Sequence, residues 1–180
     1  DPQAPCSSIG NFTTGKLTDY KTVIDFGAGC DVVTIEIENV NTQALKDLRA
    51  SGKKVYPQPE AIELIQDKRL QKEFYRQNGI PTSDFVLTEN RQDVALHKHF
   101  LPAVHKLGRE GYDGRGVQVL RTEEDLEKAF DAPGVLETFV DFEREISVIV
   151  ARNEMGQIAV FPAVEMVFHP VHNLVEFLFS

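Results

Sequence analysis

Apolar residues in the first sixty positions change their period twice. Residues 1–18 are rich in Pro, Ser, Thr and Gly and read as loop. "DYKTVIDFGAG" (19–29) has a helical pattern, weakened by Gly27 and Gly29. "DVVTIEI" (31–37) is a β-branched run of the kind that forms a buried strand. In "NVNTQALKDLRASG" the pattern becomes helical again, with an N-cap at Asn41 or Thr42, apolar Leu45 and Leu48, and Gly52 as a stop. "KKVYP" then gives a short strand closed by Pro57. Strand, helix and strand in this rhythm predict a βαβ unit with a parallel sheet.

The texture then shifts. "PEAIELIQ" (59–66) and "KRLQKEFYRQNG" (68–79) predict two helices, the second burying Leu70 and Phe74 and ending at Gly79. A short helix over 90–100 leads into strand 102–107, a glycine loop and strand 117–121. Next comes a helix, "TEEDLEKAF", whose Thr122 and Asp125 resemble a capping box. Strands follow at 135–139, 143–152 and 157–168, the last two joined by a turn near Met155-Gly156. The expected organisation is 1–57 as a partial parallel α/β domain, 58–155 as an α+β domain and 156–180 as the start of a further subdomain.

Charge narrows the function. The chain carries 19 Lys and Arg against 28 Asp and Glu, a net charge of −9. A protein this acidic is a poor candidate for bulk binding to nucleic acid or anionic membrane. No apolar run approaches membrane-spanning length. Cys6 and Cys30 fit no metal or redox spacing and read as free thiols of a reducing compartment. The sign reverses locally: between His105 and Arg121 stand Lys106, Arg109, Arg115 and Arg121 against Glu110 and Asp113. A basic island in an acidic protein suggests a small anionic ligand.

That island surrounds "GREGYDGRG" (108–116), with glycines at 108, 111, 114 and 116. A loop this bare between two antiparallel strands can aim amide N–H groups at one point, as phosphate-holding nests do. Lys106 and Arg115 would add charge-assisted contacts. The spacing matches neither a P-loop nor a dinucleotide fingerprint, and an ordinary hairpin with solvated arginines remains open. His97 and His99 lie at i and i+2 of a predicted helix, where side chains do not face one another, and His169 and His172 have no third ligand. All four are expected to be structural or exposed.

"DVVTIEIENV", "LIQDKRLQK", "AVHKLGREGYDGRG", "LETFVDFEREISVIVAR" and "VFPAVEM" occur in this order. Together they resemble the ATP-grasp carboxylases and ligases, and within them the 5-(carboxyamino)imidazole ribonucleotide synthases of purine biosynthesis. The likeness runs over roughly residues 20–170, and the Tyr-Asp inside the loop is its most specific part. It implies an α/β ATP-grasp fold, with a partial Rossmann-like pre-ATP-grasp domain followed by an α+β ATP-grasp subdomain, truncated at both ends. By the same resemblance Lys68 and Lys106 approach ATP, and Glu137, Thr138, Phe139 and Val140 form a linker along the adenine edge. Glu145 accepts the ribose hydroxyls. Gly111, Tyr112, Asp113, Gly114, Arg115, Gly116 and Val117 close over the triphosphate, with Lys106 and Arg115 catalytic. Glu36, Tyr112, Asp113 and Arg115 contact aminoimidazole ribonucleotide.

The implied reaction is ATP- and Mg2+-dependent carboxylation of that ribonucleotide by bicarbonate through carboxyphosphate. The enzyme would be cytoplasmic and homodimeric when full length, with no nucleic-acid or membrane partner. No magnesium ligand is expected within this chain, and residues 1–180 alone are expected to be inactive. Another ATP-grasp carboxylate–amine ligase and a non-catalytic nucleotide-binding module are the alternatives. The chain departs from the family at Glu110, where a second glycine is usual, and at Val117, where glutamine is common.

Overall fold

In a computed structural model describing residues 2–111, 115–169 and 175–179, the chain divides into Asp1–Thr82 and Ser83–Ser180. The first unit opens with α1 (Tyr20–Ala28), started by Asp19, whose carboxylate accepts the Thr22 N–H at 2.7 Å. β1 (Val32–Thr34), α2 (Thr42–Ala50) and β2 (Lys54–Tyr56) form the expected βαβ unit, the two strands parallel with Val33 opposite Val55. Asn41 caps α2 by accepting the Ala44 N–H. α3 (Pro59–Gln66) begins with proline at its first turn, where the missing N–H costs nothing. α4 (Lys68–Gln77) is capped by Asp67. Val23, Val33, Leu45, Leu48, Val55 and Ile62 make the core. Gly27, which lowers the helical propensity of α1, has a packing reason: a Cβ there would lie 2.3 Å from Leu48 Cδ1. On the outside, Lys46 pairs with Glu63 at 2.7 Å and Arg49 takes Glu60 in a two-armed grip, tying α2 to α3.

Two expectations for this unit are corrected. The strand expected over 31–37 ends at Thr34, and residues 36–38 form a bend. Leu70 and Phe74 are exposed, at 47% and 40%. Residues two apart on a helix point about 200° apart, and the face of α4 turned inward is that of Lys72, whose ammonium donates to the Thr82 hydroxyl. The first unit continues to Thr82, with α3 packed on α2 and α4 on α3.

In the second unit β3 (Phe85–Thr88), β4 (Ala103–Leu107), β5 (Val117–Leu120) and β6 (Gly134–Thr138) form an antiparallel sheet of order β3-β6-β4-β5. α5 (Arg91–Leu96) and two 3-10 turns, Lys98–Phe100 and Glu123–Lys128, connect them. The expected capping box of Thr122 and Asp125 is present, but it opens a 3-10 turn. One sheet face packs on Val94 and Ala129, with Ala103, Leu120 and Leu136 pointing into that core.

Residues 143–168 differ most from expectation. In place of two long strands there are four short ones: β7 (Glu145–Ser147), β8 (Val150–Arg152), β9 (Ile158–Val160) and β10 (Val164–Phe168). β8 and β9 form the hairpin turning at Gly156, whose φ of 79° suits glycine. β10 instead lies between β7 and β11 (Val175–Phe179) in a second antiparallel sheet. Pro162 separates β9 from β10; lacking an N–H, it cannot serve a continuous ladder. Among the described residues no helix is long and apolar enough to cross a membrane.

Candidate functional site

Lys106 stands opposite Val135, and Val104 opposite Glu137, across the β4–β6 pair. Alternation along the strands puts Val104, Lys106, Val135 and Glu137 on the face turned away from the Leu136 core. Lys106 and Glu137 are diagonal neighbours there, and Lys106 Nζ lies 3.2 Å from Glu137 Oε2. The glutamate side chain is only 9% exposed and the lysine 30%. A carboxylate so enclosed needs its charge met. It receives a second donor from Ser83, whose hydroxyl reaches the same Oε2 at 2.9 Å. Ser83 precedes β3 by two residues, and Phe85 of β3 pairs with Glu137, so alternation brings the serine to the same face. The ammonium of Lys106, on the wetter side of the pair, is the group an incoming anion can reach.

β6 runs on into 137–140, and much of that backbone is already engaged. The Thr138 N–H donates to Asp84 O at 2.9 Å and the Phe139 N–H to Pro102 O at 3.0 Å. The Phe139 ring lies under the Arg121 guanidinium, 4.9 Å from its centroid. Val140, just beyond, is exposed.

The glycine loop leaves from β4 and returns to β5, with Val117 opposite Lys106. Its base is knitted by Leu107 N–H to Gly116 O at 2.9 Å and Gly108 N–H to Pro133 O at 3.0 Å. The Gly108 amide is therefore engaged at the base of the loop and does not join an anion nest. Gly116 needs its bare Cα: φ is 72°, and a Cβ would sit 2.9 Å from Gly111 Cα. Glu110 also has a positive φ, 64°, where the family usually has glycine. Arg115 is exposed. Tyr112, Asp113 and Gly114 lie outside the described residues.

The remaining candidates lie elsewhere. Glu145 opens β7 opposite Met166, exposed and in the other sheet. Lys68 is the first residue of α4 in the first unit, half-buried. Glu36 is exposed in the bend after β1 and lines a cavity of about 320 Å³ with Thr13, Thr34, Ile35 and Phe26. The structure thus brings Lys106, Val117 and Glu137 together and describes Glu36 and Lys68 in another unit. Sequence reasoning counted Arg121 only as one cation of the basic stretch and missed Ser83. Alternation relative to Phe85 could have placed Ser83 on this face only if the β3–β6 register had been known.

Behind the site, on the core face, His105 is fully buried. The Phe130 N–H donates to its Nδ1 at 3.2 Å, which leaves the proton on Nε2, 3.2 Å from Thr88 Oγ1. Burial without a counter-charge pushes its pKa down to about 4. His97 and His99 depart from expectation: their rings are 5.8 Å apart, because α5 ends at Leu96 and a tighter 3-10 turn follows. His169 is half-buried, and His172 lies outside the described residues. Among the described residues no three His, Cys, Asp or Glu side chains converge as a metal site.

A βαβ unit precedes an antiparallel sheet, one face of which pairs a lysine with an enclosed glutamate. Such an arrangement defines a two-part α/β protein. Residues 73–172 match the ATP-grasp domain family and residues 1–66 the ribonucleotide synthetase preATP-grasp domain, and the chain belongs to the ATP-grasp family. It is 37% identical over 168 residues to N5-carboxyaminoimidazole ribonucleotide synthase of Synechococcus elongatus, a match covering 89% of this chain and 42% of that protein. The crystal structure of N5-carboxyaminoimidazole ribonucleotide synthetase from Thermotoga maritima is 39% identical with a TM-score of 0.75, covering 84% of this chain and 41% of that one. The Aspergillus clavatus synthase in complex with ADP and 5-aminoimidazole ribonucleotide is 29% identical with a TM-score of 0.77, covering 92% and 44%. The chain thus spans less than half the length of these relatives.

Proposed function

We propose that the protein carrying this chain is an ATP-dependent carbon–nitrogen ligase that carboxylates 5-aminoimidazole ribonucleotide with bicarbonate in purine biosynthesis. The observation that carries the reading is the Lys106–Glu137 pair across β4 and β6, within a chain that matches such synthases along nearly all its length. Bicarbonate attacks the γ-phosphate, giving carboxyphosphate and ADP, and the ribonucleotide's amine then takes the carboxyl group and releases phosphate. Positive charge placed where the transferring phosphoryl group gathers electrons is the main demand of such chemistry. Lys106 supplies it from a strand held on both sides.

With the amides of Thr138 and Phe139 engaged inside the fold, the linker's contribution to adenine falls to Val140 and to carbonyl groups. Arg115 is the loop cation for phosphate, and Tyr112 and Asp113 serve the ribonucleotide. Glu145 serves the ribose, while Lys68 and Glu36 bring the first unit's contribution to ATP and to the ribonucleotide. Magnesium, when bound, neutralises phosphate charge. The residues expected to hold it lie outside this chain. The reaction belongs in the cytoplasm, and the complete enzyme acts as a homodimer.

The test is ADP release by the complete protein with MgATP and bicarbonate. Aminoimidazole ribonucleotide should raise the rate at least about tenfold over the basal hydrolysis, a change of 1.4 kcal/mol in the barrier. Stimulation by a different amine in its place would move the protein to another ATP-grasp ligase activity.

A further inference from the structure

β1 ends at Thr34, and Glu36, Ile37 and Glu38 follow it as an exposed bend. The chain regains the core at Val40, 6% exposed, and the next residue, Asn41, caps α2. Gln66, the last residue of α3, reaches across to this stretch. Its Nε2 donates to the Glu38 carbonyl at 2.7 Å and to the Val40 carbonyl at 2.9 Å. Both acceptors are carbonyl oxygens, so the amide nitrogen, with its two N–H groups, is the end that faces them. The Val40 N–H also donates to the Glu38 carbonyl, at 2.8 Å, and Asn41 is bonded to the carbonyls of Leu17 and Thr18. Gln66 is itself set firmly. The next residue, Asp67, is 2% exposed, caps α4 and is gripped by the Arg69 guanidinium at 3.1 and 2.8 Å.

We propose that Gln66 is a positioning residue for the ribonucleotide: its amide holds the 36–40 bend so that Glu36 meets the substrate at a fixed place. This rests on the reading of Glu36 as a ribonucleotide-binding carboxylate. A carboxylate on an exposed bend binds well only if its place is set beforehand, because ordering it on binding costs affinity. Upstream of Glu36 the chain is fixed by β1, where Thr34 lies opposite Tyr56. Downstream it is fixed by Gln66, 28 residues along the sequence from Glu38 and 26 from Val40. The Val40 N–H closes a tight turn within the bend, and the Gln66 amide ties that turn to α3. All these groups belong to the first unit. Without the amide Glu36 is still present but loosely aimed, and the ribonucleotide binds more weakly.

The experiment measures kcat and the KM values for aminoimidazole ribonucleotide and ATP in the complete protein, for Gln66→Met, Gln66→Glu, Glu36→Ala and the double variant Gln66→Met/Glu36→Ala. Methionine keeps the length and bulk of glutamine without its donors, so a role in packing alone would survive it. Gln66→Met should raise the ribonucleotide KM roughly five- to twentyfold, with the ATP KM and kcat within about twofold, the loss of two hydrogen bonds acting on one substrate. Gln66→Glu, which at neutral pH turns a carboxylate on two carbonyl oxygens, should raise it at least as far. In the Glu36→Ala background Gln66→Met should add less than about twofold, because the carboxylate it serves is gone. A rise shared equally by both KM values, or an equal effect in both backgrounds, makes Gln66 merely structural and overturns the proposal. If Glu36→Ala raises the ribonucleotide KM while Gln66→Met does nothing, the proposal fails and the reading of Glu36 stands. If Glu36→Ala leaves that KM unchanged, the reading of Glu36 falls and the proposal with it.

Discussion

His105 and Lys106 are neighbours on β4 with opposite surroundings, and the difference is set by which sheet face each occupies. Lys106 stays within reach of water, whereas His105 is fully buried and makes two neutral hydrogen bonds. Its pKa of about 4 lies below the 6.5 of a free imidazole. Between those values the unfolded chain binds more protons than the folded one, so stability is fully present above pH 6.5 and is lost as pH falls towards 4. The two and a half units amount to on the order of 3 kcal/mol at 1.36 kcal/mol each. Urea unfolding at pH 7.5 and pH 4.5 should show most of that loss, and His105→Gln should flatten it; an unchanged midpoint between the two pH values would show that the imidazole takes up its proton alike in the folded and unfolded chain. Glu60 and Asp125, both held near 2 by their cationic neighbours Arg49 and Lys128, act mainly below this window.

At the scale of elements, the β4–β6 pair depends on Gly134. A Cβ at that position would lie 2.4 Å from the Lys106 carbonyl oxygen and 2.8 Å from His105 Nε2. Neither atom can retreat, since one is backbone and the other belongs to a buried, bonded ring. Gly134→Ala should therefore destabilise by about 1–3 kcal/mol, the range of a forced core clash, measured by chemical denaturation at pH 7.5. A loss below about 0.5 kcal/mol would mean that β6 can shift along β4. The elements legible in the sequence were those that announce themselves locally. Asn41, Pro59 and Asp67 start helices where the sequence placed them because a cap or a proline acts within one turn. The strands of 143–168 were not legible, because which strand pairs with which depends on partners far along the chain. Leu70 and Phe74 misled for a related reason: spacing shows that two apolar residues share a helix face, and says nothing about whether that face turns inward.

Across the whole molecule the site divides in the same way. Lys106 and Glu137 were legible from motifs that sit in one short stretch each, while Ser83 became visible only once β3 was seen to pair with β6. The two units also differ in how far their pairings reach. In the first, residues 33 and 55 close the parallel strand pair over a single helix. In the second, residue 85 must find residue 137 before the sheet has its order. Local pairings form sooner than distant ones, so in refolding followed by pulsed hydrogen exchange the amides of β2 and α2 should gain protection before those of β3 and β6. Protection arriving in both units at once would mean a single cooperative step. During synthesis the same geometry becomes a waiting time. Ser83 leaves the ribosome 54 residues ahead of its partner Glu137, and at roughly 5–20 residues per second that interval lasts about three to eleven seconds. For that long Phe85, Val86 and Leu87 travel as an unpaired apolar edge, and it is then, rather than in the finished fold, that this stretch is most open to capture by a chaperone or by another nascent chain.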